Sequence, residues 1–236
     1  MIFISPPFGN YINLPYTTQI HGSFTPERRD GILWRIFETL RYSRKYGGWV
    51  NKIGLRNPGI DWALKNLKEN DIISLAIRNT NDIDTFYSKI PINQNIEINI
   101  SCPNVEKDPS FHNKLRQLIS SKRTWCIIKL SPHTTEQQID LLYKQGFRHF
   151  HCCNTLPVKE GGLSGPSLRP YSIRCIQYIS SKYPQTTIIA GGGIQTPDDL
   201  YIYRKKGASH FSISSVLFHP FLFIPLYYNY VRSNFR

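Results

Sequence analysis

Short runs rich in β-branched residues alternate with amphipathic stretches along most of this chain, and that repeated strand-then-helix order restricts it to parallel α/β folds. Beyond residue 57 the pattern predicts six strands: Ile72 to Ile77, Ile96 to Ser101, Cys126 to Ser131, His149 to Asn154, Ile188 to Gly192 and His210 to Ser215. Between them it predicts helices at Ile60 to Lys68, Asp82 to Ser88, Phe111 to Ser120, Glu136 to Gln145, Tyr171 to Tyr183 and Asp198 to Lys206. Thr134 or Thr135 can cap the helix containing Gln137. Thr196-Pro197-Asp198-Asp199 supplies an N-cap, a Pro in the first turn and two acids facing the dipole. Gly146 and Gly207 follow helix ends. Two earlier runs, Ile2 to Ile4 and Thr18 to Gly22, raise the strand count to the eight of a (β/α)8 TIM barrel, the expected fold. Only Pro6 to Tyr16 separates those two runs. Pro6, Pro7, Gly9 and Pro15 favour an extended crossing there, so the first helix is expected to be abbreviated or missing. An open doubly wound sheet is the structural alternative.

A chain of 236 residues with 40% hydrophobic content can bury one substantial core, and a single domain over residues 1–236 is expected. No apolar run reaches the roughly 18 residues of a membrane span, and Met1 to Pro6 lacks the charged start of a secretory signal. A soluble, cytoplasmic protein is expected. The five cysteines, at 102, 126, 152, 153 and 175, include no C-x-x-C pair, so neither a zinc site nor a disulfide framework is implied. The net charge of +13 is concentrated between Arg28 and Arg56, interleaved with Trp34, Phe37, Tyr42, Tyr46 and Trp49. Such a mixture can bind nucleic acid. The favoured reading is an amphipathic helix, Ile32 to Lys45, with Ile32, Phe37 and Leu40 inward and its basic face solvated. Nothing in the pattern decides between a monomer and a homodimer.

Chemistry concentrates after the predicted strands. In the alternating run Asn95 to Ser101, Asn99 and Ser101 share one face, and Pro103 stops the strand to leave Cys102 on the following loop. A free Cys is commonly a buried small hydrophobe, but polar neighbours at 99, 101 and 104 argue for a site. In a barrel the loops at the carboxyl ends of the strands build the active site. Cys102 and Asn104, Lys129, Asn154-Thr155, Gly191-Gly192-Gly193 and Ser214-Ser215 all fall there. Lys129 lies in an otherwise apolar strand and is expected to meet a bound anion. The three glycines uncover backbone N–H groups before the Thr196-capped helix, a geometry suited to phosphate, and Ser214 and Ser215 add hydroxyls. Gly161 to Pro166 forms a further glycine-rich loop after Asn154-Thr155.

The ordered set Gly22-Ser23-Phe24-Thr25-Pro26, Asn51-Lys52-Ile53-Gly54, Asn99 to Asn104, Lys129 to Pro132, Asn154-Thr155, Gly161 to Pro166, Gly191 to Gly193 and Ser214-Ser215 resembles the dihydroorotate dehydrogenases, FMN barrels of pyrimidine synthesis. The resemblance implies that Cys102 is the general base removing a proton from C5 of dihydroorotate while the C6 hydride passes to flavin N5. It implies that Asn51, Asn99, Asn104 and Asn154 grip the pyrimidine, with Thr155 beside them. Lys129 would sit at the flavin N1/O2 edge and stabilise the anionic reduced flavin. Gly192, Gly193, Ser214 and Ser215 match the flavin phosphate region, Gly165 a close flavin approach, and Ser23 belongs to the cofactor side.

The sequence also departs from that family. A further lysine, normally after the first or second strand, is replaced by Asn10 and Gly22, which implies weaker grip on the orotate carboxylate and a slow or altered enzyme. No membrane-associated region like that of the quinone-using members is expected, and the resemblance makes Cys102 the base type of the soluble ones. A flavin-binding homologue with altered or lost activity is therefore one alternative. A tRNA dihydrouridine synthase is another, since it is also a flavin barrel with a cysteine before a proline and a positive surface. Ser101, where that family usually has Gly, together with Asn104 and the Gly161 to Pro166 motif, argues against it.

Overall fold

A computed structural model describes residues 1–100 and 109–234. Its strands in chain order are β1 (Ile2–Ile4), β2 (Thr17–Phe24), β3 (Arg41–Ser43), β4 (Gly48–Asn51), β5 (Ile72–Ala76), β6 (Ile96–Asn99), β7 (Cys126–Lys129), β8 (His149–Cys152), β9 (Leu156–Val158), β10 (Gly161–Ser164), β11 (Thr187–Ala190) and β12 (His210–Ile213). Eight of them close a parallel barrel in the order β1, β12, β11, β8, β7, β6, β5, β2, which excludes the open sheet. The helices are α1 (Ile32–Thr39), α2 (Ile60–Asn66), α3 (Thr80–Lys89), α4 (Pro109–Leu115), α5 (Glu136–Gln145), α6 (Arg169–Lys182), α7 (Pro197–Lys205) and α8 (Pro220–Asn234). Between β1 and β2 the chain makes only a single 3₁₀ turn, Phe8–Asn10, so the first helix is abbreviated as its prolines dictate.

Alternation along the strands divides the core. Ile2, Ile4, Ile73, Leu75, Ile96, Ile98, Ile128 and Phe150 face the helices, whereas Phe3, Ile20, Ile72, Ile127 and Ile189 form an apolar layer inside the barrel. Each fully buried side chain of this size contributes roughly 1.5–3 kcal/mol relative to exposure. The strand positions above that layer are polar, and they carry the site. α5 follows its sequence signals closely: Thr135 and Gln138 form a capping box, and Gly146 ends the helix at φ +112°.

Three elements differ from expectation. The helix expected over Ile32 to Lys45 stops at Thr39, because Leu40 turns extended and Arg41–Ser43 pairs with Gly48–Asn51 around Gly47 at φ +59°. Phe37, expected inward, is 85% exposed, while Ile32 and Ile36 line the cavity described below. The Gly161 to Pro166 loop contains β10, which pairs with β9 and β4 in a four-stranded antiparallel sheet ordered β3, β4, β10, β9. Glycine is required at 161, where φ is +134° and a Cβ would collide with the Asn51 carbonyl. Trp49 pins this sheet to the barrel, its Nε1 donating to His219 Nε2 at 3.0 Å and its ring 4.4 Å from that of Phe218. α8 escaped the sequence pattern because apolar residues run through Phe221-Leu222-Phe223-Ile224 without period, though Leu226 is buried and Phe221 is 92% exposed. Among the described residues, no helix is long and apolar enough to cross a membrane.

Candidate active site

A cavity of about 450 Å³ opens at the carboxyl ends of the barrel strands, beneath the antiparallel sheet. Asn51, Asn154, Thr155, Ser23, Lys129, Gly165, Gly192, Gly193, Ser214 and Ser215 all line it. Asn99 lies one hydrogen bond behind its wall. Cys102 and Asn104 lie outside the described residues.

Parallel register sets Asn99 beside Lys129, and Lys129 beside His151. Glu97, two residues before Asn99, therefore shares its inward face and is completely buried. Its Oε1 lies 3.5 Å from Lys129 Nζ and accepts from Ser74 Oγ at 2.8 Å, while its Oε2 lies 2.6 Å from His151 Nδ1. The charge beside this buried amine within the protein is the Glu97 carboxylate, and Lys129 also lines the cavity. Burial opposes the charged carboxylate, yet Lys129, His151 and the Ser74 hydroxyl overcome it and hold the Glu97 pKa at about 2. The His151 imidazole is pushed below its usual pKa of 6.5, first by burial and then by Lys129, against the pull of Glu97.

Glu97 also sets the direction of a longer relay. Ser74 must donate to the carboxylate, so Ser23 Oγ donates to Ser74 Oγ at 2.9 Å and accepts from Asn99 Nδ2 at 3.2 Å. The Asn99 carbonyl in turn accepts from Asn154 Nδ2 at 2.9 Å, and Asn154 Oδ1 accepts the Thr155 N–H at 2.9 Å. One buried acid thus fixes which way both carboxamides face. Neither Asn99 nor Asn154 can flip without losing a bond.

The opposite wall is built around glycines. Gly192 and Gly193 have φ of +81° and +83°. Their loop is tied down through its carbonyls: Ser172 Oγ donates to Gly191 O, Tyr203 Oη to Gly192 O, and Arg169 Nε to Gly193 O. No acceptor among the described residues takes the N–H of Gly192, Gly193 or Ser215. The start of α7 does not add to this anion cradle, because the Asp199 carboxylate accepts the N–H groups of Gln195 and Thr196 and pairs with Arg169 at 2.8 Å. At Gly165, φ is +140° and a Cβ would come within 3.0 Å of Gly48 Cα, so packing of the two hairpins already demands glycine there.

Asn10 and Gly22, the positions where the resemblance leads one to expect a further lysine, are bonded to each other. Asn10 Oδ1 accepts the Gly22 N–H at 2.7 Å, and its Nδ2 donates to Gly22 O at 3.1 Å. Besides Lys129, the cations on the described cavity wall are Lys52 and Arg56. Sequence reasoning overlooked Glu97, His151, Ser74 and Arg56. For the first two a signal existed, since period-two alternation places Glu97 on the face of Asn99, and His151 opposite the apolar Phe150 and Cys152.

Protonation makes the fold acid-sensitive. His21, His149 and His151 are pushed below 6.5, chiefly by burial, and His210 to about 4 by burial, the N-terminal ammonium and Arg204. Each binds its proton more readily unfolded, so stability present above pH 6.5 is lost as pH falls toward 4. Glu97 adds a second loss as pH falls from 4.5 toward 2. Thermal melting followed by circular dichroism is expected to show a midpoint that declines from neutral pH downward. A flat midpoint across that window contradicts these protonation states.

The family model described as dihydroorotate dehydrogenase matches residues 10–225. The catalytic subunit of dihydroorotate dehydrogenase B (NAD(+)) from Geobacillus kaustophilus is 31% identical over 219 residues, spanning 78% of this chain and 70% of its own. Its counterpart from Enterococcus faecalis is 30% identical over 249 residues, spanning 89% and 77%. A crystal structure of DHODH from Eimeria tenella in complex with ferulenol superposes with a TM-score of 0.66 over 92% of this chain and 76% of that one, at 17% identity, a likeness of fold. The match sets aside the tRNA dihydrouridine synthase alternative. With residues 10–225 matched and identity of 31% across most of the chain, this protein belongs to the dihydroorotate dehydrogenase family.

Proposed function

We propose that residues 1–236 form one FMN-binding barrel domain that oxidises dihydroorotate to orotate. The observation that carries this reading is the convergence on one cavity of oriented carboxamides, a buried ammonium and a glycine-serine cradle. FMN fits the donor set. The cavity volume of about 450 Å³ falls within the roughly 300–1,000 Å³ of cofactor sites. The N–H groups of Gly192, Gly193 and Ser215, which no acceptor among the described residues takes, suit a phosphate together with the hydroxyls of Ser214 and Ser215. When bound, FMN supplies a hydride acceptor at N5.

The protein's own groups do the rest. Asn51, Asn104 and Asn154, with Thr155, hold the pyrimidine, and Asn99 acts from behind through its bond to Asn154, since carboxamides supply both donors and acceptors to a ring of urea and amide groups. Because the relay ending on Glu97 fixes Asn99 and Asn154, that pattern is pre-set before substrate arrives. Cys102 takes the C5 proton onto Sγ, and the hydride leaves C6 in the same oxidation. A thiol of ordinary pKa, about 8.5, is mostly protonated at neutral pH, so turnover should rise in mildly alkaline solution. Lys129 offsets the negative charge that arrives at the N1/O2 edge on reduction, and Ser23 and Gly165 flank the cofactor. The described cysteines at 126, 152, 153 and 175 are all buried, with burial raising each thiol pKa, which leaves them unsuited to this role.

The bond between Asn10 and Gly22 favours a second reading, a flavoprotein of the same fold acting on a pyrimidine without the carboxylate. Titration of the apoprotein with FMN, followed by quenching of flavin fluorescence, tests the shared premise. Saturable binding of one FMN per chain is expected, and absence of binding overturns both readings. Dihydrouracil, which lacks the carboxylate, then separates them: faster flavin bleaching by dihydrouracil than by dihydroorotate supports the second. Gly193→Ala probes the cradle. Its Cβ would sit at positive φ, 2.7 Å from Arg169 Cγ and 3.0 Å from Gly165 O, so a stability loss of about 1–3 kcal/mol is expected. Weaker FMN binding should accompany it, and unchanged melting and binding would contradict the cradle.

A further inference from the structure

We infer that His151 contacts the cofactor directly: its Nε2 accepts a hydrogen bond from an N–H or O–H of the bound flavin, and Glu97 holds the imidazole in the tautomer that can accept. This rests on the cavity being the FMN site. His151 is 1% exposed, yet it lines the cavity. Its Nδ1 is committed to the fully buried Glu97 at 2.6 Å, and because that carboxylate can only accept, the ring proton resides on Nδ1. Nε2 is left as a lone-pair acceptor, and no donor among the described residues reaches it. Lys129, its neighbour across the strand pair, turns its ammonium toward Glu97 Oε1 instead. Gly191 keeps that nitrogen clear, since a Cβ there would lie 2.6 Å from Nε2.

An acceptor on the cavity wall that no donor among the described residues reaches gains a hydrogen bond from a ligand that brings one. A flavin has two kinds of donor, the ring N3–H and the ribityl hydroxyls. The carboxylate–imidazole pair is thus a positioning device on the cavity wall, and it uses atoms that the proton-abstraction chemistry leaves free.

The test is FMN affinity of apoprotein variants, measured by fluorescence quenching beside circular dichroism and melting. His151→Phe, which keeps ring volume and removes the acceptor, is expected to weaken FMN about tenfold, the effect of one ordinary hydrogen bond. His151→Gln, whose amide oxygen can accept, should recover most of that loss. Lumiflavin, which has no ribityl chain, locates the donor: an equal loss assigns it to ring N3–H, and a loss confined to FMN assigns it to a hydroxyl. Unchanged FMN affinity in a folded His151→Phe protein overturns the inference. If that variant does not fold, nitrogen-15 NMR of histidine-labelled wild type decides. The Nε2 resonance should shift on FMN addition, and a stationary resonance overturns the inference. Wild type that binds no FMN refutes the cofactor site itself, a distinguishable outcome.

Discussion

Glu97→Leu is expected to lower the stability of the protein by about 3–5 kcal/mol, the cost of removing one partner from a buried ion pair. The side chain has no solvent exposure, and its two oxygens serve three partners: Lys129, Ser74 and His151. Leucine would leave the Lys129 ammonium, with 9% side-chain exposure, without a counter-charge. It would also strip the Ser74 hydroxyl and the His151 Nδ1–H of their acceptor. For a chain of 236 residues the melting midpoint should fall on the order of 10 °C. Pairing it with Lys129→Leu should restore much of the loss, because removing both charges leaves neither stranded. A single variant within about 1 kcal/mol of wild type would show that the network is not organised around this acid.

Cys102→Ala is expected to slow the reductive half-reaction by about 10²–10⁴-fold, the usual contribution of a positioned general base. FMN affinity should change little, because no atom of Cys102 is assigned to the cofactor. In wild type the rate should rise with pH through the thiol range near 8.5, and the alanine variant should lose that dependence. An unchanged half-reaction rate, or a pH profile that survives the substitution, contradicts the role of Cys102.

Much of this arrangement could be read from the chain. The barrel follows from period-two and helical patterning, which act locally, and α5 matches its expected limits because Thr135, Gln138 and Gly146 act within a few residues. Asn154, Lys129 and the Gly192–Ser215 cradle were legible because strand ends in such a barrel meet at one mouth, whereas Asn51, on β4 of the antiparallel sheet, came only from the family resemblance. What stayed hidden depends on contacts between strands distant in sequence. Glu97 stands 32 positions from Lys129 and 54 from His151, and only the β6, β7, β8 register brings the three together. The early end of α1 was hidden for the same reason, since β4 becomes a strand by pairing with β10, over a hundred residues away. The outward turn of Phe37 has no account in the described contacts.

If one cavity joins oriented carboxamides, a buried ammonium and a flavin into a dihydroorotate-oxidising site, anaerobic mixing of the FMN-loaded protein with dihydroorotate should bleach the oxidised-flavin absorbance, with orotate formed in equal amount. Flavin that stays oxidised at saturating dihydroorotate would contradict this assignment.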